Sequence, residues 1–415
     1  MARRSDTLSP YFLDAVAYAR KLGYFAIQAA TNGIRFAQDP EFARQAADAG
    51  MRLAYLQFDG VTNEANSHRK VGNLFDVKLR AIENLHAAGI DVTLVMTIVN
   101  TVNNDQVVPV IKFAAANIDK INAVSFQPVS FTGRDEDISD EDRKRQRYTL
   151  SHMAHDVANG LGVTNPYRDW FPLSASGPLS DLVDQLNGQQ ADWGSLKCGC
   201  HPNCGIGAMF LVNEQTKDLV PLADVLDTEQ FLEDLKVIND SARPKAAMVT
   251  QVALALFKNF KADTAPKDLS IIDLLRIMDG HTGRRMGLSK DPRHTWRVLL
   301  VAGMWFQDLF NYDFRRTEMC IIPYATQAGE ISFCAYNTGI GWRQVVEDMF
   351  QNATTMEWFK TKGRHQIFAG GKEVALPVKD QLDIVLPMVE LPIMAQAGSG
   401  GGCSSGGCGS TSSKG

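Results

Sequence analysis

Between residue 8 and about residue 160 the chain alternates amphipathic helical segments with short apolar runs, and it does so four times. The runs are Tyr24 to Ala29 (YFAIQA), Arg52 to Phe58 (RLAYLQF), Asp91 to Ile98 (DVTLVMTI) and Ala123 to Pro128 (AVSFQP). They are β-branched or aromatic and carry no polar alternating face, which predicts parallel strands covered on both sides. The stretches between them, among them Phe75 to Ala88 and Gln106 to Ala116, place apolar residues at helical spacing. Gly23 and Gly89 each stand between a helix and a strand, where a residue free to adopt positive φ ends the helix. Repeated units of this kind build an α/β fold with a parallel sheet, open or curled toward a barrel. Polar or glycine-bearing signatures sit just past the strands, at Thr31-Asn32-Gly33, Asp59-Gly60, Asn100 to Asn104 and Gln127 to Gly133. The carboxyl ends of parallel strands hold ligands in barrels and open sheets alike, so these four loops form the expected active rim.

Beyond residue 160 the pattern changes. Residues 160–225 read as loop-rich, with WFPLSASGPLS and the segment KCGCHPNCG, and Asp227 to Leu309 read as mostly helical. CIIPYA and EISFCAY then form a predicted hairpin turned at Gln327-Ala328-Gly329. Patterning fades after Lys379, and residues 398–415 (GSGGGCSSGGCGSTSSKG) read as a flexible tail. The expected organisation is a partial barrel over 1–175, a cysteine-bearing domain with a helical insert and hairpin over 176–380, and a C-terminal extension over 381–415.

Composition narrows the function classes. The chain has 415 residues, 45% of them hydrophobic and 21% charged, as in ordinary globular proteins, and its length exceeds what a single core usually fills. A net charge of -5 and the lack of a basic stripe with interleaved aromatics argue against nucleic-acid binding. The opening MARRSDTLSPYF has no apolar run behind its arginines, and no stretch of about 18 apolar residues follows anywhere. The expectation is a cytoplasmic chain with no transmembrane segment, leaving surface contact with lipid open.

Seven cysteines in such a compartment read as metal ligands or reactive thiols rather than disulfides. Cys198, Cys200 and Cys204 lie at spacings of two and four in a loop with Pro202, and Cys320 and Cys334 follow much later. Thiolates so placed suit an iron–sulfur cluster or zinc, and a remote fourth ligand favours the cluster. Five thiolates for a four-ligand cluster leave one over, and Cys320 and Cys334 also read as small buried hydrophobes on a hairpin. Cys403 and Cys408 fall in the tail. His152 and His155 share a helix face, and His281 and His294 flank a loop with Arg284, Arg285 and Arg293. These read as structural histidines and a solvated basic surface.

The strand-end signatures, FQPVSFTGR at 126–134, the CHPxCG segment, Cys320 and FCAYN (Phe333 to Asn337) occur together in this order. In that combination the chain resembles the radical S-adenosylmethionine (SAM) superfamily over roughly residues 7–345, in the branch that includes tetraether synthase and the methanopterin methylase. The resemblance implies a partial (β/α) TIM-like barrel lacking its first strands, followed by a mostly helical auxiliary iron–sulfur domain. It implies that Thr31, Asn32 and Gly33 line the SAM site, that Asp59 reaches a SAM hydroxyl or the substrate, and that Gln127 and Pro128 wall the adenine side. Cys198, Cys200, Cys204, Cys320 and Cys334 would hold auxiliary 4Fe-4S centres.

The superfamily's CxxxCxxC loop, which holds the 4Fe-4S cluster that cleaves SAM, and its GGEP motif do not occur in these 415 residues. Arg3-Arg4-Ser5-Asp6 stand where GGEPT is expected, ahead of the match resuming at Thr7. The expectation is a late-placed start codon, with a split gene or a disrupted copy as alternatives. The complete protein is expected to generate a deoxyadenosyl radical that functionalises an unactivated carbon, in the first reading by coupling lipid chains, with methylation of a reduced pterin as the alternative. A low-potential donor such as ferredoxin or flavodoxin would supply electrons. As written, the chain also fits a non-catalytic iron–sulfur or zinc-binding remnant.

Overall fold

The computed structural model describes residues 7, 9–24, 26–135, 137–187, 200–241, 244–281, 295–338, 341–362, 372–379 and 381–387. Cys198, Cys403, Cys408, the loop with Arg284, Arg285, Arg293 and His294, and Arg3 to Asp6 lie outside them.

Four parallel strands open the fold in sequential order: β1 (Ile27–Thr31), β2 (Met51–Gln57), β3 (Asp91–Ile98) and β4 (Ile121–Pro128). They fall within a few residues of the apolar runs in the sequence. Helices Pro40–Ala49, Leu74–Ala87 and Val107–Ala116 make the crossovers and cover one face. Each crossover has readable punctuation. Asp39 caps the first helix by accepting from Phe42 N, with Pro40 in its first turn, and Gly89 ends the second at φ 74°.

The later strands differ from expectation. β5 (Phe171–Pro172), β6 (Gly205–Asn213), β7 (Leu219–Pro221) and β8 (Trp296–Met304) join the same sheet, in the order β1-β2-β3-β4-β8-β6-β5 with β7 on β6. β8 runs parallel to β4, and β6 runs antiparallel to β8. The sheet therefore runs through the boundary expected at residue 175. Among the described residues it is mostly parallel and does not close into a barrel. Trp296 to Met304 lies inside the segment read as helical. A short run that is apolar but for Arg297 is ambiguous from sequence, and pairing with β4 and β6 decides it. Helices Thr228–Asp240, Lys245–Asn259 and Ile271–His281 do form the expected insert. The hairpin of β9 (Pro323–Thr326) and β10 (Gly329–Ser332) is present, but Phe333–Asn337 is a short helix rather than strand because Ser332 caps it, accepting from Ala335 N.

The two faces of the parallel sheet are unequal. Residues Ala54, Leu56, Val92, Leu94, Met96, Val124 and Phe126 are buried beneath the helices. Their alternates, including Tyr55, Gln57, Val95, Thr97, Ser125 and Gln127, are only half-buried. Strands covered on both sides were expected; instead one face is left partly accessible, as in the concave interior of an incomplete barrel.

Segments 372–379 and 381–385, the second of them where patterning fades in the sequence, strap the outer helices. Asn73 exchanges hydrogen bonds with Val374 (2.9 and 2.8 Å) and Asn117 with Val385 (2.9 and 2.8 Å). Val374 is also buried in the core, with Leu376, Leu382 and Ile384 packed against it, so apolar contact and asparagine pairing together hold the strap. No helix among the described residues is long and apolar enough to cross a membrane.

Under β2 and β3 the core is aromatic. Phe58 stacks on Phe113 with ring centres 5.2 Å apart and meets Phe75 edge-on at 6.0 Å. Truncating fully buried Phe58 to alanine is expected to cost ~3–5 kcal/mol in chemical denaturation; a loss below about 1 kcal/mol would contradict this packing.

Candidate functional site

The loop after β1 is built by its own side chains. Thr31 Oγ1 accepts from Gly33 N and Asn32 Oδ1 accepts from Ile34 N, both at 3.0 Å, which starts the short helix Ile34–Gln38. Gly33 has φ 79°, and a Cβ there would lie 2.8 Å from Leu56 Cδ1. The position needs glycine on both counts.

Asp59, just past β2, is the hub of the rim. Its side chain is fully buried, and Oδ2 accepts from Arg69 Nε at 2.6 Å, His68 Nε2 at 3.0 Å and the Gln57 amide. Oδ1 accepts from Thr97 N of β3 at 3.3 Å. Burial alone would raise this carboxyl's pKa, but hydrogen bonds and charge from His68 and Arg69 outweigh burial and hold it at about 2. The sequence suggested that Asp59 reaches a SAM hydroxyl or substrate; here its oxygens serve four internal donors, so such a contact would have to displace one.

Lys78 completes the network from the helix beneath. Its fully buried ammonium donates to Asn32 O and, at 3.1 Å, to Gln57 Oε1, so the Gln57 amide bridges Lys78 to Asp59. Burial lowers the Lys78 pKa to about 7, with Asp59 favouring and Arg69 opposing its charge. Sequence reading passed over Lys78, although its position was a signal. It lies four residues after Leu74 and four before Ile82, on the buried stripe of an amphipathic helix.

The loops after β3 and β4 are tied in turn. Asn103 Nδ2 donates to Thr97 O at 2.9 Å, and its Oδ1 accepts from Val99 N at 2.9 Å. Gln127 and Pro128 are adjacent on β4, so alternation points them to opposite faces: Gln127 to the half-exposed interior and Pro128 to the buried side. Past β4, Phe131 N donates to the fully buried Asp308 at 3.0 Å, and Arg147 Nη1 donates to the same carboxylate at 2.7 Å. This pair binds the β4 loop to the loop after β8.

The cysteine centre sits on the same rim. β8 is parallel to β4, so its end lies with the ends of β1 to β4; β6 is antiparallel, so its start lies there too. Cys204 closes the turn Pro202–Cys204 directly before β6, and its carbonyl accepts from Trp305 N, just past β8, at 2.8 Å. Cys200 and Cys204 share a hydrogen bond, as do Cys320 and Cys334. Hydrogen bonding from Cys200, helped by Arg316, lowers the Cys204 thiol to about 6, while the Cys320 bond and burial push Cys334 up. The structure thus gathers four of the five predicted cysteines; Cys198 lies outside the described residues. Among those residues no group of three or more His, Cys, Asp or Glu is arranged to hold a single metal ion. The donor chemistry, four sulfurs in two adjoining pairs beside a buried arginine, still fits a thiolate-bound group.

A cavity of about 360 Å³ adjoins this centre, lined among others by Leu309, Tyr336, Asn337, Thr338, Arg343 and Gln344. It abuts the β4 loop, because a Cβ on Gly133 would lie 2.9 Å from Arg343 Nη1. A second cavity of about 620 Å³, lined by Lys112, Leu161, Lys217, Leu219 and Trp296 among others, lies at the opposite end of the strands.

The depressed pKa of Asp59 makes a pH prediction. Because the folded value of about 2 lies below that of an unfolded aspartate, its stabilisation is complete above roughly pH 4 to 5 and is lost as pH falls toward 2. Asp59→Asn is expected to flatten that part of the acid denaturation curve and to destabilise the neutral protein by ~3–5 kcal/mol, since Arg69 and Lys78 lose their carboxylate. Acid and neutral stability matching wild type would contradict the hub.

Residues 5–114 match the Radical SAM superfamily, a span that takes in the loops after β1, β2 and β3. A 7,8-dihydro-6-hydroxymethylpterin dimethyltransferase of Methanocaldococcus jannaschii is 31% identical over 369 residues, covering 87% of this chain and 69% of the relative. Identity at that level and length reaches well past the rim segment, and the parallel strand order agrees with it. The chain belongs to the radical SAM superfamily.

Proposed function

We propose that this chain forms the SAM- and substrate-holding body of a radical SAM methyltransferase that acts on a carbon of a reduced pterin. Membership of the superfamily implies SAM and a 4Fe-4S cluster as cofactors. Together, when bound, they supply the radical chemistry that activates an unreactive carbon. None of the cysteines in these 415 residues forms the CxxxCxxC triplet such a cluster uses. The observation that carries the substrate reading is the likeness to a dihydropterin dimethyltransferase over most of the chain. The polar cavity beside the rim supports it: its size is within the usual range for small-molecule sites, and Tyr336, Arg343 and Gln344 can pair with a polar heterocycle. Lipid coupling has less behind it. That chemistry calls for an apolar tunnel reaching the strand ends from the stretch 227–310, and the cavity lined by Pro266 and Trp296 of that stretch lies at the opposite end of the strands.

In this reading the residues divide their work. The half-buried interior face, with Tyr55, Gln57, Thr97, Ser125 and Gln127, receives SAM, and Thr31 to Gly33 border it. Asp59 and Lys78 keep the loops after β1, β2 and β3 in register with one another. The pocket at Arg343 holds the pterin, and the cysteine centre next to it carries an auxiliary iron–sulfur group, reduced by a low-potential donor of the ferredoxin or flavodoxin kind.

Binding measurements on the intact chain, made without oxygen, test the substrate class. A 7,8-dihydropterin is expected to bind, observed by its fluorescence, with affinity falling ~10-fold in Arg343→Ala, while a long-chain lipid does not displace it. Lipid binding without pterin binding would contradict the proposal.

A further inference from the structure

Arg316 is the one arginine buried among the described residues, with 4% of its surface exposed. It has no carboxylate partner there. Its Nε donates to Cys204 Sγ at 3.3 Å, its Nη2 donates to Trp305 O, and its guanidinium carbon lies 5.7 Å from the Trp305 ring centre. A guanidinium stays protonated in proteins, and removing one from water is strongly unfavourable unless negative charge faces it. Elsewhere in this fold that charge is supplied by acids: Asp308 faces Arg147, and Asp59 faces Arg69. Among the described residues Arg316 meets a carbonyl, an indole ring and sulfur, and of these only sulfur can carry negative charge. Neutral thiols offset a buried cation poorly, and the arrangement favours negative charge on the cysteine centre.

A second observation points the same way. The indole Nε1 of Trp305 is buried and has no hydrogen-bond acceptor. Trp305 is the residue whose backbone N–H holds the Cys204 carbonyl at 2.8 Å. Cys204 is thus flanked by a lone buried cation and by a residue with an unspent donor. Surroundings of that kind favour an anionic group with further acceptor atoms, and a thiolate-ligated cluster offers its sulfurs.

We propose that Arg316 is the counter-charge of an anionic iron–sulfur group bound by Cys200, Cys204, Cys320 and Cys334, and that its hydrogen bond to Cys204 raises the reduction potential of that group. The inference rests on the reading of the cysteine centre given above. Reduction adds one negative charge to the group, and a fixed cation in a desolvated site stabilises the reduced form more than the oxidised one. Arg316 is a positioning and tuning residue in this account, acting through a ligand.

The test uses the full chain, prepared without oxygen, reconstituted with iron and sulfide, and titrated while the reduced state is followed by electron paramagnetic resonance. Arg316→Gln is expected to titrate at a more negative potential than wild type. Arg316→Lys, which keeps the charge but loses the planar fork, is expected to fall between the two. Loss of iron uptake in the glutamine variant, with uptake kept in the lysine variant and both melting like wild type, would also support the proposal. If Arg316→Gln loads iron normally and shows the wild-type potential and spectrum, the role of Arg316 is overturned and the cysteine centre stands. If wild type itself takes up neither iron nor sulfide, the cysteine reading falls and this inference with it.

Discussion

The carboxylate of Asp59 holds in one arrangement groups from three parts of the rim: Gln57 at the end of β2, His68 and Arg69 in the following turn, and the Thr97 N–H of β3. Through Gln57 and Lys78 it reaches the carbonyl of Asn32 after β1. A charged network can persist in a buried setting only when its members satisfy one another. With the donors around Asp59 in place, the strand ends become a fixed surface rather than a set of independent loops. The half-buried interior face beneath them gains a defined mouth.

The cysteine centre belongs to that mouth because of topology rather than sequence proximity. An antiparallel β6 beginning where a parallel β8 ends returns the Cys204 turn to the rim, and the backbone bond between Trp305 and Cys204 fixes the two together. The Arg147–Asp308 pair then joins the β8 loop to the β4 loop, so sulfur centre, pocket and interior face share one frame. Arg147 lies over the Phe131 ring and 5.9 Å from the Trp305 ring, whose surroundings also include Arg316. One indole therefore sits between the cation that faces Asp308 and the cation that faces Cys204.

Much of this was legible in the sequence where the signal was periodic or chemical. The four early strands, their parallel sense, the crossover helices and the cluster of sulfurs all follow from apolar spacing, glycine placement and cysteine spacing. β8 was not legible, because a short, mostly apolar run satisfies a buried helix as well as a buried strand until a neighbour pairs with it. The Phe333–Asn337 helix was hidden by its apolar content, and its serine cap was the missed clue. Asp59 was found through its place after a strand, yet its engagement with His68 and Arg69 depends on a turn that brings residues nine and ten positions away back to it. Arg316 sits in the charged run DFRRTE, where nothing in the sequence marks it for burial, and the tertiary fold buries it. The strap over 372–379 and 381–385 buries Val374 and packs Leu376, Leu382 and Ile384 on the core besides pairing with two asparagines, and so short an apolar pattern does not declare where in the fold it docks.

The proposed function requires that the loops following β1 to β4 form the SAM site. Hydrogen–deuterium exchange of the intact chain with and without SAM measures this directly. Slowed exchange is predicted in segments 31–35, 59–69, 97–104 and 127–133, with the helices over 228–281 unchanged. Unaltered exchange in all four loops at saturating SAM, or protection confined to those helices, would contradict it.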